Sequence, residues 1–144
     1  MEGGSIYQNG LKADQSGTAI YNTGTLYISG GSIYDNYTTK TGAVNTHLGG
    51  TIYMSGGSIY NNTAVGNGGG MHISTDSYAT LTGGYIYGNT SKANGQDVYN
   101  ANSLTIGKVA IGYDENGNYQ GGELYFASGL NPVLQGTEVW HTAS

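Results

Sequence analysis

The chain contains no cysteine, so neither disulfides nor thiolate metal sites are open to it, and the redox compartment is left undecided. Arginine is missing too, since the basic residues are Lys12, Lys40, Lys92 and Lys108. Nucleic-acid binding rests on clustered cations, and the net charge here is −5. No nucleic acid is therefore expected as a partner. Charged residues of either sign are scarce, at 9% against about 25% in an average soluble domain. No apolar run approaches the length of a membrane span, and no membrane insertion is expected. The start, Met1-Glu2-Gly3-Gly4, carries neither a basic nor an apolar stretch, so no secretion signal is present in this segment. Met1 leads straight into a repeat, which reads as a segment of a longer protein.

What the chain has in quantity is glycine (27) and tyrosine (14). Disorder goes with few aromatics and high net charge, so this bias still reads as a folded chain. A length of 144 residues suits one domain with a continuous core.

A repeat organises nearly all of it. The heptapeptide Gly-Gly-Ser-Ile-Tyr-x-Asn begins at Gly3, Gly30 and Gly56, and returns as Gly-Gly-Tyr-Ile-Tyr-Gly-Asn at Gly83. A degenerate copy aligns at Ile111-Gly-Tyr-Asp114. Each repeat holds three short strand-like runs. One column carries Ile20, Val44, Met71, Val98 and Leu124. A second pairs Leu26 with Ile28, Ile52 with Met54, Ala79 with Leu81 and Leu104 with Ile106. A third carries Ile6, Ile33, Ile59, Ile86 and Ile111. Within the runs apolar and polar residues alternate, so one face is buried and the other wet.

Three strands and three turns in about 26 residues leave no room for an ordinary helix. Each repeat is therefore a rung, with like positions stacked about 4.8 Å apart. Parallel crossovers are right-handed in nearly all cases. The expected fold is all-β: a right-handed single-stranded parallel β-helix of about five coils, three strands per coil. Residues 1–144 form one domain, with regular repeats over 3–114 and an irregular last coil and cap over 115–144. Pro132 and Trp140 are available to close the C-terminal end of the core. The first coil has no cap before Gly3, so self-association through the N-terminal coil is expected.

The column Asn9, Asn36, Asn62 and Asn89 is expected to form a structural amide ladder, with Asp114 at its end. Asn also tolerates the left-handed conformation that corners need. The Gly-Gly pairs fall at corners that demand positive φ or an absent Cβ. The string Gly66-Asn67-Gly68-Gly69-Gly70 lacks the Gly-Lys-Ser/Thr of a phosphate loop.

Some tetrapeptides resemble a known family. Gly17-Thr-Ala-Ile20, Thr41-Gly-Ala-Val44 and Gly68-Gly-Gly-Met71 resemble the Gly-Gly-Ala-Ile motif of the chlamydial polymorphic outer-membrane protein repeats. Ile33-Tyr-Asp-Asn36 and its copies resemble that family's Phe-x-x-Asn motif, with Ile in place of Phe. The whole is similar to the Gly/Asn/Thr-rich β-helix repeats of large surface proteins from Gram-positive gut bacteria. The resemblance covers about residues 3–114. It implies a β-helix fold, an adhesin-like role and an extracellular or cell-surface location.

Many β-helix proteins are polysaccharide lyases or hydrolases. The lyase type uses a basic residue, commonly Arg, with Asp clusters for Ca²⁺, and this chain has no Arg. Hydrolases need two carboxylates roughly 5–10 Å apart, whereas Asp35, Asp76 and Asp97 map to different corners. His47 and His72 fall in neighbouring rungs, offset by two positions, which does not make a zinc site. Asp114-x-Asn116-x-Asn118 begins like a calcium loop, but the following Gly and the closing Glu are absent. It is a weak Ca²⁺ candidate, and no cofactor is expected.

The outward columns are the remaining candidates: Tyr7, Tyr34, Tyr60 and Tyr87 in one, Tyr27 and Tyr53 in another. Tyr21, Asn45, His72, Tyr99 and Tyr125 make a third. Such rings can stack on sugars or dock on proteins, and tyrosine is equally a strong strand former whose rings support their neighbours. The expected function is a non-catalytic surface or secreted module for adhesion, glycan or protein binding, or a stalk. The alternative is a fragment of a carbohydrate-active enzyme whose catalytic coils lie elsewhere.

Overall fold

Alternation of Ile, Leu, Val and Met with polar residues dictates short strands that bury one face. A rung of such strands is satisfied only by stacking on another rung. A computed structural model of the chain describes residues 1–10, 19–121, 123–127 and 130, with the backbone of 133–134 and 139–140. It is an all-β parallel solenoid, a parallel β-helix. Sheet A stacks Ser5–Tyr7, Ser32–Tyr34, Ser58–Tyr60, Tyr85–Tyr87, Ala110–Ile111 and Val139–Trp140. Sheet B stacks Ile20–Asn22, Val44–Thr46, Met71–Ile73, Val98–Asn100 and Leu124–Phe126. Sheet C stacks Thr25–Ile28, Thr51–Met54, Tyr78–Leu81, Ser103–Ile106 and Val133–Leu134. Along the chain each rung runs B, C, A.

The register is the one the repeat implies. Ile6 lies beside Ile33, Ile33 beside Ile59 and Ile59 beside Ile86. Val44, Met71, Val98 and Leu124 likewise follow one another. All of these from the second rung onward are buried in one core, while Ile6, Ile20 and Leu26 of the first rung are only partly covered. Each fully buried aliphatic contributes about 1.5–3 kcal/mol.

A fourth sheet goes beyond the three expected strands. Sheet D stacks Tyr37–Thr38, Thr63–Ala64 and Thr90–Ser91 between sheet A and the next sheet B. Its inward residues are Thr38, Ala64 and Ser91, all buried. A two-residue strand with a small inward side chain has no apolar alternation to betray it.

The corners explain the heptapeptide. In Gly-Gly the first glycine lies against the carbonyl of the previous rung: a Cβ on Gly56 would meet Ser29 O at 2.5 Å. The second glycine takes positive φ, as Gly57 does at 85°. At the other end, the left-handed residue is the variable one before each Asn, namely Gln8, Asp35, Asn61 and Gly88. The ladder asparagines themselves are not left-handed, which corrects one of the two roles expected of them. Turning the residue before it leaves the Asn side chain free to point inward.

At the N-terminal end the first strands of sheets A, B and C each pair on one side only, among the described residues. Met1 adds partial cover: its carbonyl accepts from Ser29 and Gly30 N–H, and its amino group donates to Tyr27 O. The expected capping roles of Pro132 and the Trp140 side chain lie outside the described residues.

Candidate functional site

The asparagine column is built inside the corner between sheets A and D. Each amide donates through Nδ2 to the next Oδ1: Asn9 to Asn36, Asn36 to Asn62 and Asn62 to Asn89, all at 2.9 Å. The backbone N–H of each donor residue reaches the same oxygen. From Asn36 onward the second amide hydrogen goes to an Ile carbonyl one rung back, as from Asn62 to Ile33 O at 3.0 Å. Every polar atom of Asn62 is thus used, as a buried amide requires.

The ladder does not end on Asp114, as the repeat implied. It ends on Asp97, whose Oδ1 accepts from Asn89 Nδ2 at 2.9 Å and from Asn89 N–H at 3.1 Å. Asp97 is fully buried and its Oδ2 has no hydrogen-bond partner among the described residues. Burial pushes its carboxyl up to about 8, against the opposing pull of the Asn89 donors, and the Glu123 charge pushes the same way as burial.

Asp114 instead closes its own loop. Its Oδ1 accepts from the N–H of Asn116 and Asn118 at 2.9 and 3.0 Å, and its Oδ2 accepts from Gln120 Nε2 at 2.6 Å. These donors, led by Asn118, hold the carboxyl below its usual value. The three residues proposed as a calcium loop therefore meet through backbone donors aimed at the carboxylate. Calcium is held by six to eight oxygens converging on one point, and here both Asp114 oxygens already accept from donors of their own loop.

The tyrosine columns stack face to face. Ring centroids are 5.1, 5.1 and 5.2 Å apart along Tyr7, Tyr34, Tyr60 and Tyr87, with interplanar angles of 2–4°. Tyr27 and Tyr53 stack at 5.2 Å and 15°, and Thr80 follows in the next rung. On sheet B, His72 stacks on Tyr99 and Tyr99 on Tyr125. The columns lie on three different sheets and do not merge into one face. Within each column the interior rings Tyr34, Tyr60 and Tyr99 have both faces taken by neighbouring rings, while each end ring keeps one face unstacked among the described residues.

The two histidines occupy separate networks. His72 Nδ1 lies 3.1 Å from Asn45 Oδ1, and burial, helped by the His47 charge, draws its pKa down to about 4. His47 Nδ1 lies 2.9 Å from Ser74 Oγ, which in turn donates to Asp76 Oδ1 at 2.7 Å. His47 Nδ1 also lies 3.5 Å from Asp76 Oδ1, and the serine gives its proton to that acid, so it is not arranged as a nucleophile activated by a base. Asp35 lies at a sheet A corner and Asp97 in the interior, which keeps them apart from Asp76.

The feature missed by the column reading lies at the C-terminal end of sheet A. Tyr85, Lys108, Tyr113, Asp114 and Glu115 line an open cleft of about 470 Å³. Glu115 closes it on one side, accepting from Ser58 Oγ at 2.7 Å and from Tyr87 Oη at 3.0 Å. That contact and burial raise the Tyr87 pKa, burial being the larger cause. The visible signal was the third residue of the heptapeptide, Ser5, Ser32 and Ser58 in the early copies and Tyr85 in the fourth.

No protein-family model, curated protein or solved structure matches the chain. The functional reading therefore rests on its own residues.

Proposed function

We propose that this chain is a non-catalytic module of a secreted or cell-surface bacterial protein, presenting a binding surface for a glycan or a protein on a stiff β-helical rod. The observation that carries this reading is the in-register Tyr7–Tyr34–Tyr60–Tyr87 stack, continued by the Tyr87–Glu115 contact into the cleft. Four parallel, stacked rings and a bonded amide ladder make the scaffold rigid, and a rigid surface loses little entropy on binding.

The carboxylates favour binding over hydrolysis. A glycosidase needs one acid kept protonated near neutral pH beside one that is ionised. At the cleft, Asp114 is held ionised by its loop donors. The acid with a raised pKa, Asp97, is fully buried away from any ligand.

The test is to expose the module to neutral glycans, pectins, host glycans and uronic-acid polymers, following both retention and cleavage. Retention without new reducing ends or unsaturated products supports the reading. Turnover of any polymer overturns it in favour of a lyase- or hydrolase-like fragment.

A further inference from the structure

In a stacked column an interior ring spends both faces on its neighbours. A ligand that packs flat on an aromatic needs a face that nothing else covers. Tyr85 breaks the serine column of sheet A, and its register neighbours are Ser58 and Ala110. Both are small, and Tyr85 has no ring partner among the described residues. The substitution of Tyr for Ser in one repeat thus creates an unstacked ring on the outer face of the sheet.

That ring forms part of the cleft lined by Lys108, Tyr113, Asp114 and Glu115. The opposite wall is held in place without a ligand. Tyr113 packs against Tyr119 at 5.5 Å and bridges to it through the backbone. Asp114 binds three donors of its own loop, and Gln120 N–H returns to Gly112 O at 2.9 Å. Lys108 makes no ion pair among the described residues, so its ammonium is free to donate.

We infer that this cleft is a saccharide subsite, with a neutral pyranose ring lying against Tyr85 and its hydroxyls bonded by Lys108 and Glu115. The inference rests on the binding function proposed above and names its site and ligand class. The charge present selects the ligand. Two carboxylates and one ammonium leave the cleft net negative, which disfavours uronic acids and phosphates. A neutral sugar offers an apolar C–H face to the ring and hydroxyls that both donate to Glu115 and accept from Lys108. The interior rings of the stacked columns, Tyr34, Tyr60 and Tyr99, offer no comparable face.

Calorimetric titration of the whole chain with β-1,4-linked tetrasaccharides of glucose, mannose and galactose tests this. The informative variant is Tyr85→Ser, which restores the residue of the three earlier copies and so leaves the rung intact. At least one tetrasaccharide should bind, and Tyr85→Ser should weaken it tenfold or more. Lys108→Met should weaken it severalfold, while Tyr34→Ala and Tyr27→Ala should stay within about twofold. Unchanged affinity in Tyr85→Ser, or loss on the ladder variants instead, would overturn the site. If no neutral tetrasaccharide binds while the chain retains another glycan or a protein, this site is overturned and the broader function stands.

Discussion

Asn89 donates to Asp97 Oδ1 from both its side-chain amide and its backbone N–H, at 2.9 and 3.1 Å. The amide ladder runs in one direction, every Asn donating toward the C-terminal rung. Its last member needs to accept and has nothing to donate to. A carboxyl fits that position better than an amide, because in its protonated form it adds one buried donor where an amide would add two. The cost is a buried acid with one oxygen unpartnered among the described residues.

That cost sets the pH dependence of stability. The Asp97 carboxyl rises from 3.8 unfolded to about 8 folded, so the folded chain binds the proton more tightly. Its contribution is complete below pH 3.8 and is lost as the pH climbs through about 8. His72 acts in the opposite sense, falling from 6.5 to about 4. Its contribution is complete above pH 6.5 and is lost toward pH 4. The two effects oppose each other between pH 4 and 6.5, and above that Asp97 acts alone. Denaturant midpoints of the natural chain should fall between pH 6.5 and 8. Asp97→Asn should flatten that limb, since its side chain has no proton to lose. A natural chain of constant midpoint from pH 6.5 to 8.5 would contradict the assignment.

Removing one ladder amide should be costly. Asn62→Ala leaves Asn36 without its acceptor and Asn89 without its donor, and should cost roughly 2–4 kcal/mol. Asn67 is a partly exposed loop residue whose Oδ1 accepts from Asn94 N–H at 3.1 Å. Asn67→Ala should cost under about 1 kcal/mol. Urea midpoints compare the two directly, and equal values would remove the ladder's special status.

Position within a tyrosine column should also matter. Tyr60 stacks on Tyr34 and Tyr87, while Tyr7 stacks on Tyr34 alone. With about 0.5–1.5 kcal/mol per ring pair beyond area burial, Tyr60→Ala should lose about twice the stacking energy lost by Tyr7→Ala. A larger loss at Tyr7 would show that the rings do not support one another.

The glycines separate in the same way. Gly56→Ala places a Cβ at 2.5 Å from Ser29 O, while Gly24→Ala meets nothing within 4 Å and has no positive φ. The first should destabilise the protein severely or prevent folding. The second should be neutral or stabilising by up to about 1 kcal/mol, because it restricts the unfolded chain. Thermal melts of the pair decide this.

Much of the fold was legible because stacking copies a repeat in register. Once Ile33 and Ile59 are equivalent in sequence, their strands must be neighbours, and the three large sheets follow. Sheet D was not legible, because Thr38, Ala64 and Ser91 share small size and no hydropathy pattern. The end of the ladder was misplaced for a related reason. Alignment puts Asp114 in the Asn column, but its loop donors draw it outward, and Asp97 fills the interior from another part of the rung. The cleft escaped notice because it arises where the repeat breaks, at Tyr85 and the loop carrying Glu115. Periodicity highlights what recurs.

Binding without turnover is the central claim, and proton NMR of the chain mixed with a neutral oligosaccharide that it retains tests both halves at once. The account predicts shifts concentrated on the Tyr85 and Tyr113 ring protons, with the oligosaccharide spectrum unchanged over days. New anomeric signals from cleaved ends that grow with protein concentration would contradict it.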